Sequence, residues 1–214
     1  MDIQERIWIN TIDSGRARIS ARIERLPGEL VRKSLHLLIA LVPPLAALNL
    51  PFTMSLLAAG TLVYAFAEAS RQAGKPVFLI SDITAVASRP RDKGKFVLGP
   101  ITLAIGTMLA LSLYPDPAAT IAIYALAFGD GLASLAGKTI GGPKIPFVKG
   151  KTLSGSLACF IAVYITTLGI TSKPVEAALI AFVATLLEAV PFGNFDNLVI
   201  PFGVGLAATQ ILFL

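Results

Sequence analysis

Ser154-Gly155-Ser156-Leu157-Ala158-Cys159-Phe160-Ile161-Ala162-Val163-Tyr164-Ile165-Thr166-Thr167-Leu168-Gly169-Ile170-Thr171-Ser172 runs for 19 residues without a charge. A helix crosses the hydrocarbon core of a bilayer with about 20 mostly apolar residues, so this stretch reads as a membrane span. The same signature recurs on both sides, at roughly 35–50, 52–69, 96–114, 117–136, 175–191 and 198–213. Between the first two, Asn49-Leu50-Pro51 leaves room only for a tight turn. Composition agrees: 55% of the 214 residues are hydrophobic, 14% are charged and the mean hydropathy is +0.75. A soluble domain is about a quarter charged. The expected fold is an all-α integral membrane protein, a single bundle of about seven transmembrane helices.

The basic residues orient this bundle. Lysine and arginine collect in cytoplasmic connections. Seven lie between Arg6 and Lys33, six between Arg71 and Lys95, and four between Lys138 and Lys151, so that 17 of the 18 share one side and only Lys173 faces the other. The N-terminus is expected in the cytoplasm and the C-terminus on the opposite side. The pI of 9.5 is then an orientation signal. It excludes a nucleic-acid binder, which needs a soluble basic surface.

Residues 4–25 place Ile7, Ile9, Ile12, Ile19 and Ile23 among arginines, the pattern of an amphipathic helix lying on an anionic leaflet, with Trp8 at the interface. No apolar signal-peptide core stands among the first 30 residues. The expected division is an amphipathic segment over 1–28 and a transmembrane catalytic domain over 29–214. Pro43-Pro44 should kink the first span, and the carbonyls freed there need cover from protein. Residues 76–88 are too short to span and read as an interfacial or re-entrant helix. The single cysteine, Cys159, excludes a disulfide framework and reads as core packing.

The connection from Gly129 to Ser156 departs from a simple membrane loop. It carries one carboxylate, Asp130, four lysines (Lys138, Lys144, Lys149 and Lys151) and seven glycines, among them Gly129 and Gly155. An ionisable residue at membrane depth marks a functional site by default. Thr152, Gly155 and Ser156 open the next span, where free backbone amides favour an anion. The combination suits a polyanion with a bound metal ion. It is not a Walker A loop, because the spacing differs and no strand precedes it.

Other candidates gather at the same expected level. Glu188 ends the sixth span, and Asp196 and Asn197 begin the seventh. Asp130 and Asp196 are the expected metal ligands, since magnesium takes one or two carboxylates together with substrate phosphates. The first span opens with Glu29, Arg32, Lys33 and His36, in which Arg32 shares a helix face with His36 and Glu29 with Lys33. Glu68 and Arg71 add a polar pair at the end of the second span.

The order of these groups resembles the polyprenol kinase family, which contains dolichol kinase, phytol kinase and the CTP-dependent diacylglycerol kinase. The residues that carry the resemblance are Glu29-x-x-Arg32-Lys33-x-x-His36, Glu68-x-x-Arg71, Gly129-Asp130 through Lys138, Lys151-Thr152-x-x-Gly155-Ser156, and Asp196-Asn197 with Pro201. The resemblance implies a Mg2+-dependent transfer of the γ-phosphate of CTP, or of ATP, to the hydroxyl of a polyprenol, a phytol-like alcohol or diacylglycerol. It implies a triphosphate cradle from Arg32, Lys33, Gly129, Lys138, Lys144, Lys149, Lys151, Thr152, Gly155, Ser156 and Asn197. Lys151 would act in catalysis, and Asp130, Glu188 and His36 are the candidates to accept the alcohol proton. Membrane lipids are the expected surroundings, and the oligomeric state is open.

Two other readings compete. CTP:phosphatidate cytidylyltransferases carry a similar aspartate, glycine and lysine block, but their Asp-x-x-Ala-Tyr pattern and their His-Gly-Gly-x-x-Asp-Arg ending are absent here. A small transporter would place its charges near the bilayer midplane, whereas these gather at the ends of the spans. Within the kinase pattern itself, Ser154 stands where an acidic residue is expected.

Overall fold

A computed structural model describes residues 27–89, 92, 94–146, 148 and 150–213. The expected amphipathic helix over 4–25, with Trp8, lies outside the described residues, as does Lys149. Among the described residues eight helices run in order: α1 Pro27–Leu48, α2 Leu50–Gln72, α3 Ile80–Ala87, α4 Gly99–Leu113, α5 Ala118–Thr139, α6 Leu153–Thr171, α7 Pro174–Ala189 and α8 Asp196–Phe213. Among the described residues there is no strand, only an isolated antiparallel bridge between Lys144 and Thr152.

Five of these helices, α1, α2, α5, α6 and α8, are long and apolar enough to cross a membrane. The other two expected spans form α4 and α7, with 15 and 16 residues. At about 1.5 Å per residue each is shorter than a hydrocarbon core of about 30 Å. The expected short helix at 76–88 is α3, packed on α2.

Local chemistry sets the boundaries. Asn49 ends α1 and caps α2, its side chain accepting from the Phe52 amide at 2.9 Å. Proline occupies the first turn of α2, α4 and α7, where its missing donor costs nothing. Ser172 closes α6 in the left-handed conformation, φ 56°. The expected kink at Pro43-Pro44 is preceded by a 3-10 turn at Ile39–Leu41, and Val42 and Pro43 are buried there.

α5 is the hub. Its first half packs on α4 and α8, and its second half on α6. Two thirds of its apolar window, 67%, is inside the bundle, against 11% for α2. Small residues line the seams: Ala118, Ala122 and Ala125 on α5, and Ala177, Ala181 and Ala184 on α7. Without a solvent-driven hydrophobic force, membrane helices associate through such close contacts. Pro201 inside α8 removes the donor for the Asn197 carbonyl. That carbonyl lies against Gly106 of α4, where any Cβ would collide with it. The kinked helix and the glycine are therefore one fitted pair.

Gly106→Val should cost about 1–3 kcal/mol through overpacking at a backbone contact. Gly60→Ala, at an exposed helical position with nothing near its Cβ, should leave stability equal or higher. Thermal unfolding of the two detergent-solubilised variants checks the contrast, and equal midpoints would contradict the Gly106 contact.

Candidate active site

Antiparallel helices bring the polar residues to one end of the bundle. This end collects the start of α1, the ends of α5 and α7, and the starts of α4, α6 and α8, tied by side-chain contacts between them. At its centre is Asp130, the last residue of a π-helical stretch, Ala125–Asp130, inside α5. A π-turn widens the helix locally and shifts the register of the residues beyond it.

Lys33 of α1 meets this carboxylate. Its Nζ lies 2.5 Å from Asp130 Oδ2 and 3.1 Å from the Asp130 carbonyl oxygen, and the lysine is 1% exposed. His36, one turn along α1, sets Nδ1 3.2 Å from the same Oδ2 but makes no hydrogen bond. Asp130 Oδ1 is also without a hydrogen bond. One turn before Lys33, Glu29 is shared: one oxygen pairs with Arg32, the other with Lys138 from the end of α5. Glu29 thus partners Arg32 and Lys138, while Lys33 turns to Asp130. These contacts clamp the start of α1 to α5 through buried charges.

A cavity of about 210 Å3 opens beside this clamp. Its polar lining includes Arg32, His36, Arg89, Asp92, Asp130, Asn194, Asp196 and Asn197, and its apolar lining includes Leu35, Tyr64, Ile80, Ile83, Leu98 and Leu103. Asp196 accepts from the Phe192 amide at 2.8 Å through Oδ1, and its Oδ2 makes no hydrogen bond. Asn197 donates to Gly99 O at 3.1 Å and Thr102 Oγ1 at 3.0 Å, so its amide group fastens α8 to α4. Arg89 belongs to the basic turn that the sequence assigns to orientation alone; its place at the end of α3 brings it to the cavity.

The loop groups lie elsewhere. Lys151 bonds Glu188 at 2.5 Å, and the second Glu188 oxygen is buried without a partner. Thr152 caps α6 by accepting from the Gly155 amide at 3.2 Å. Ser156 Oγ is buried and makes no hydrogen bond, and Lys144 is exposed. Neither these residues nor Lys138 lines the cavity. Lys151 is still within electrostatic reach of Asp130 and Asp196.

The glycines serve helix packing. A Cβ on Gly129 would meet Val163 and Cys159, one on Gly137 would meet Thr152 Oγ1, and one on Gly155 would meet the Ala133 carbonyl. Ser154 donates to the Gly141 carbonyl, which an ionised acidic side chain could not do. Glu68 pairs with Arg71 through two 2.7 Å bonds and accepts from the Val97 amide at 2.8 Å, holding α2 against the segment that leads into α4.

Among the described residues no three His, Cys, Asp or Glu side chains converge as a metal cluster. Asp92, Asp130 and Asp196 line the cavity, and the last two make a pair in which each has an oxygen that accepts no hydrogen bond among the described residues. Such a pair suits a cation that arrives already bound to phosphate oxygens.

No family model matches the chain, and no solved structure matches it. Curated relatives do. A probable chloroplastic phytol kinase 3 of Glycine max is 35% identical over 95 residues, 42% of this chain and 30% of its own length. A probable chloroplastic phytol kinase 1 of Glycine max is 26% identical over 141 residues, 58% of this chain and 45% of its own length. Phytol kinase 1 of Arabidopsis thaliana, also chloroplastic, is 27% identical over 128 residues, 51% and 42% of the two lengths. The matches thus span less than half of each of these relatives. Several such relatives, at modest identity, support a relationship to the polyprenol and phytol kinase family.

Proposed function

We propose that the chain is a membrane-embedded lipid-alcohol kinase with CTP as its phosphoryl donor. The observation that carries the reading is Asp130 with His36 beside it on a cavity lined by both charged and apolar residues, with buried Lys33 paired to Asp130. The relationship to phytol kinases supports the same reading. The active end of the bundle faces the cytoplasm, where nucleotide is available, in accord with the lysine and arginine distribution. In this reading α4 and α7 complete seven crossings, with locally thinned bilayer around the two short helices.

In the reaction the alcohol oxygen attacks the γ-phosphorus. A new P–O bond forms, the bond to the β-phosphate oxygen breaks, and the alcohol proton passes to a base. Phosphoryl transfer depends chiefly on positioning and on stabilising charge. His36 Nδ1 and Asp130 Oδ1, both at the cavity and both without a hydrogen bond, are positioned to accept that proton. Lys33 holds Asp130 in place. Lys138, Lys144 and Lys151 at the loop side, with the α6 N-terminus, meet the triphosphate. Asp130 and Asp196 would hold Mg2+, which supplies charge neutralisation and alignment of phosphate oxygens.

Purified protein with Mg2+ and a panel of prenyl alcohols, phytol and diacylglycerol should transfer label from γ-labelled CTP to lipid, and none from α-labelled CTP. Label from the α position would mean nucleotidyl transfer. Transfer from γ-labelled ATP at a higher kcat/KM would overturn the choice of CTP.

Removing one member of a buried ion pair costs about 3–5 kcal/mol, whereas replacing both by apolar groups is often neutral. Lys33→Met should therefore lower stability by about that much, and Lys33→Met/Asp130→Leu should regain most of it while remaining inactive. A double variant as unstable as the single one would contradict the unpaired charge as the source of the loss. An active double variant would remove Asp130 from the chemistry.

A further inference from the structure

The polar wall of the cavity contains two arginines from different elements. Arg32 comes from α1 and Arg89 from the turn that leaves α3, and each lies within electrostatic reach of the other. Arg32 gives one guanidinium nitrogen to Glu29, but its Nε is buried and makes no hydrogen bond. The Arg89 backbone amide donates to Asp92 at 3.1 Å, while its guanidinium enters no ion pair among the described residues. His36, 6% exposed, adds its unpartnered Nδ1 to the same wall.

Two cations that face one cavity repel each other, and more strongly at low dielectric. An anion between them converts that repulsion into attraction. The planar guanidinium fork matches phosphate oxygens in two-point contact. Glu29 is the only carboxylate in an ion pair with either guanidinium among the described residues, while Asp92, Asp130 and Asp196 line the same cavity without forming one with them. The cavity has a second requirement. Leu35, Ile83, Leu98 and Leu103 surround the rest of it, which suits hydrocarbon. Its volume of about 210 Å3 falls below the roughly 300–1,000 Å3 of ordinary ligand pockets. A phosphate on the end of an apolar chain meets both requirements; an alcohol meets only the second.

Resting on the kinase reading above, we propose that this cavity holds the phosphorylated lipid, with Arg32 and Arg89 clamping its phosphomonoester and the leucines and Ile83 around the first carbons of its tail. Arg89 is then a phosphate-holding residue on the lipid side, distinct from the loop lysines on the nucleotide side. The product is bound more tightly than the alcohol, and it competes with the alcohol for the cavity.

The test is equilibrium binding to the full-length protein in detergent, without nucleotide or turnover. The probes are a C20 prenyl monophosphate, the matching C20 prenyl alcohol, inorganic phosphate and CTP. The monophosphate should bind at least about tenfold tighter than the alcohol. Arg89→Ala should bring the ratio of the two affinities close to one, and Arg89→Lys should keep most of it. A purely structural role for Arg89 would weaken both ligands and leave the ratio intact. CTP, whose γ-phosphate must reach the same point, should compete with the monophosphate. Equal affinities in the parent protein, an unchanged ratio in Arg89→Ala, displacement of the monophosphate by inorganic phosphate at equal concentration, or no competition from CTP would each overturn the inference. Because nothing turns over, failure here is separable from failure of the kinase reading, which the labelled-CTP assay tests alone.

Discussion

The buried ion pair between Lys33 and Asp130 is the constraint on which the site depends. A lysine that is 1% exposed and a carboxylate at the end of a π-turn neutralise each other between α1 and α5. Neither charge is tolerable alone in such surroundings. Their pairing fixes where α1 meets α5, and so fixes His36 and Arg32, which stand on the same helix. Glu29, shared between Arg32 and Lys138, locks the register from the other end. The cavity wall is a consequence of this register.

Packing around the pair depends on size more than on polarity. α5 is surrounded because its faces are alanine and glycine, which let α4, α6 and α8 approach. The glycines that flank the polar groups are occupied by neighbouring helices, as Gly129 is by Val163 and Cys159. A close-packed hub holds Asp130 rigidly, and rigid positioning is what phosphoryl transfer requires.

Much of this was legible in the chain. Apolar stretches gave helices near their expected places, since a polar backbone in lipid must hydrogen-bond within its own segment. The break at Asn49-Leu50-Pro51, the α3 helix at 80–87 and the gathering of charges at one bundle end came from turn residues, length and alternation of direction. Pairing was not legible. Helical spacing suggests Glu29 with Lys33, yet tertiary contact gives Glu29 to Arg32 and Lys138. Nothing in the sequence marks a π-turn at Ala125–Asp130, because hydrogen-bond register carries no residue signature. Arg89 looked like one of many orientation charges, and only the fold sets it opposite Arg32. Of the site candidates, Asn197 and the Glu68–Arg71 pair hold helices together.

In the proposed reaction Asp130 is a reacting group, beyond its service as a counter-ion. Asp130→Asn keeps the shape and an oxygen for Lys33 while removing the charge. The decisive measurement is the single-turnover rate of γ-phosphoryl transfer from CTP to lipid alcohol in this variant, taken on protein that retains its elution profile and unfolding transition. A fall of about a thousandfold is predicted, the scale of losing a principal charge-stabilising group. A rate within tenfold of the parent protein would contradict the account.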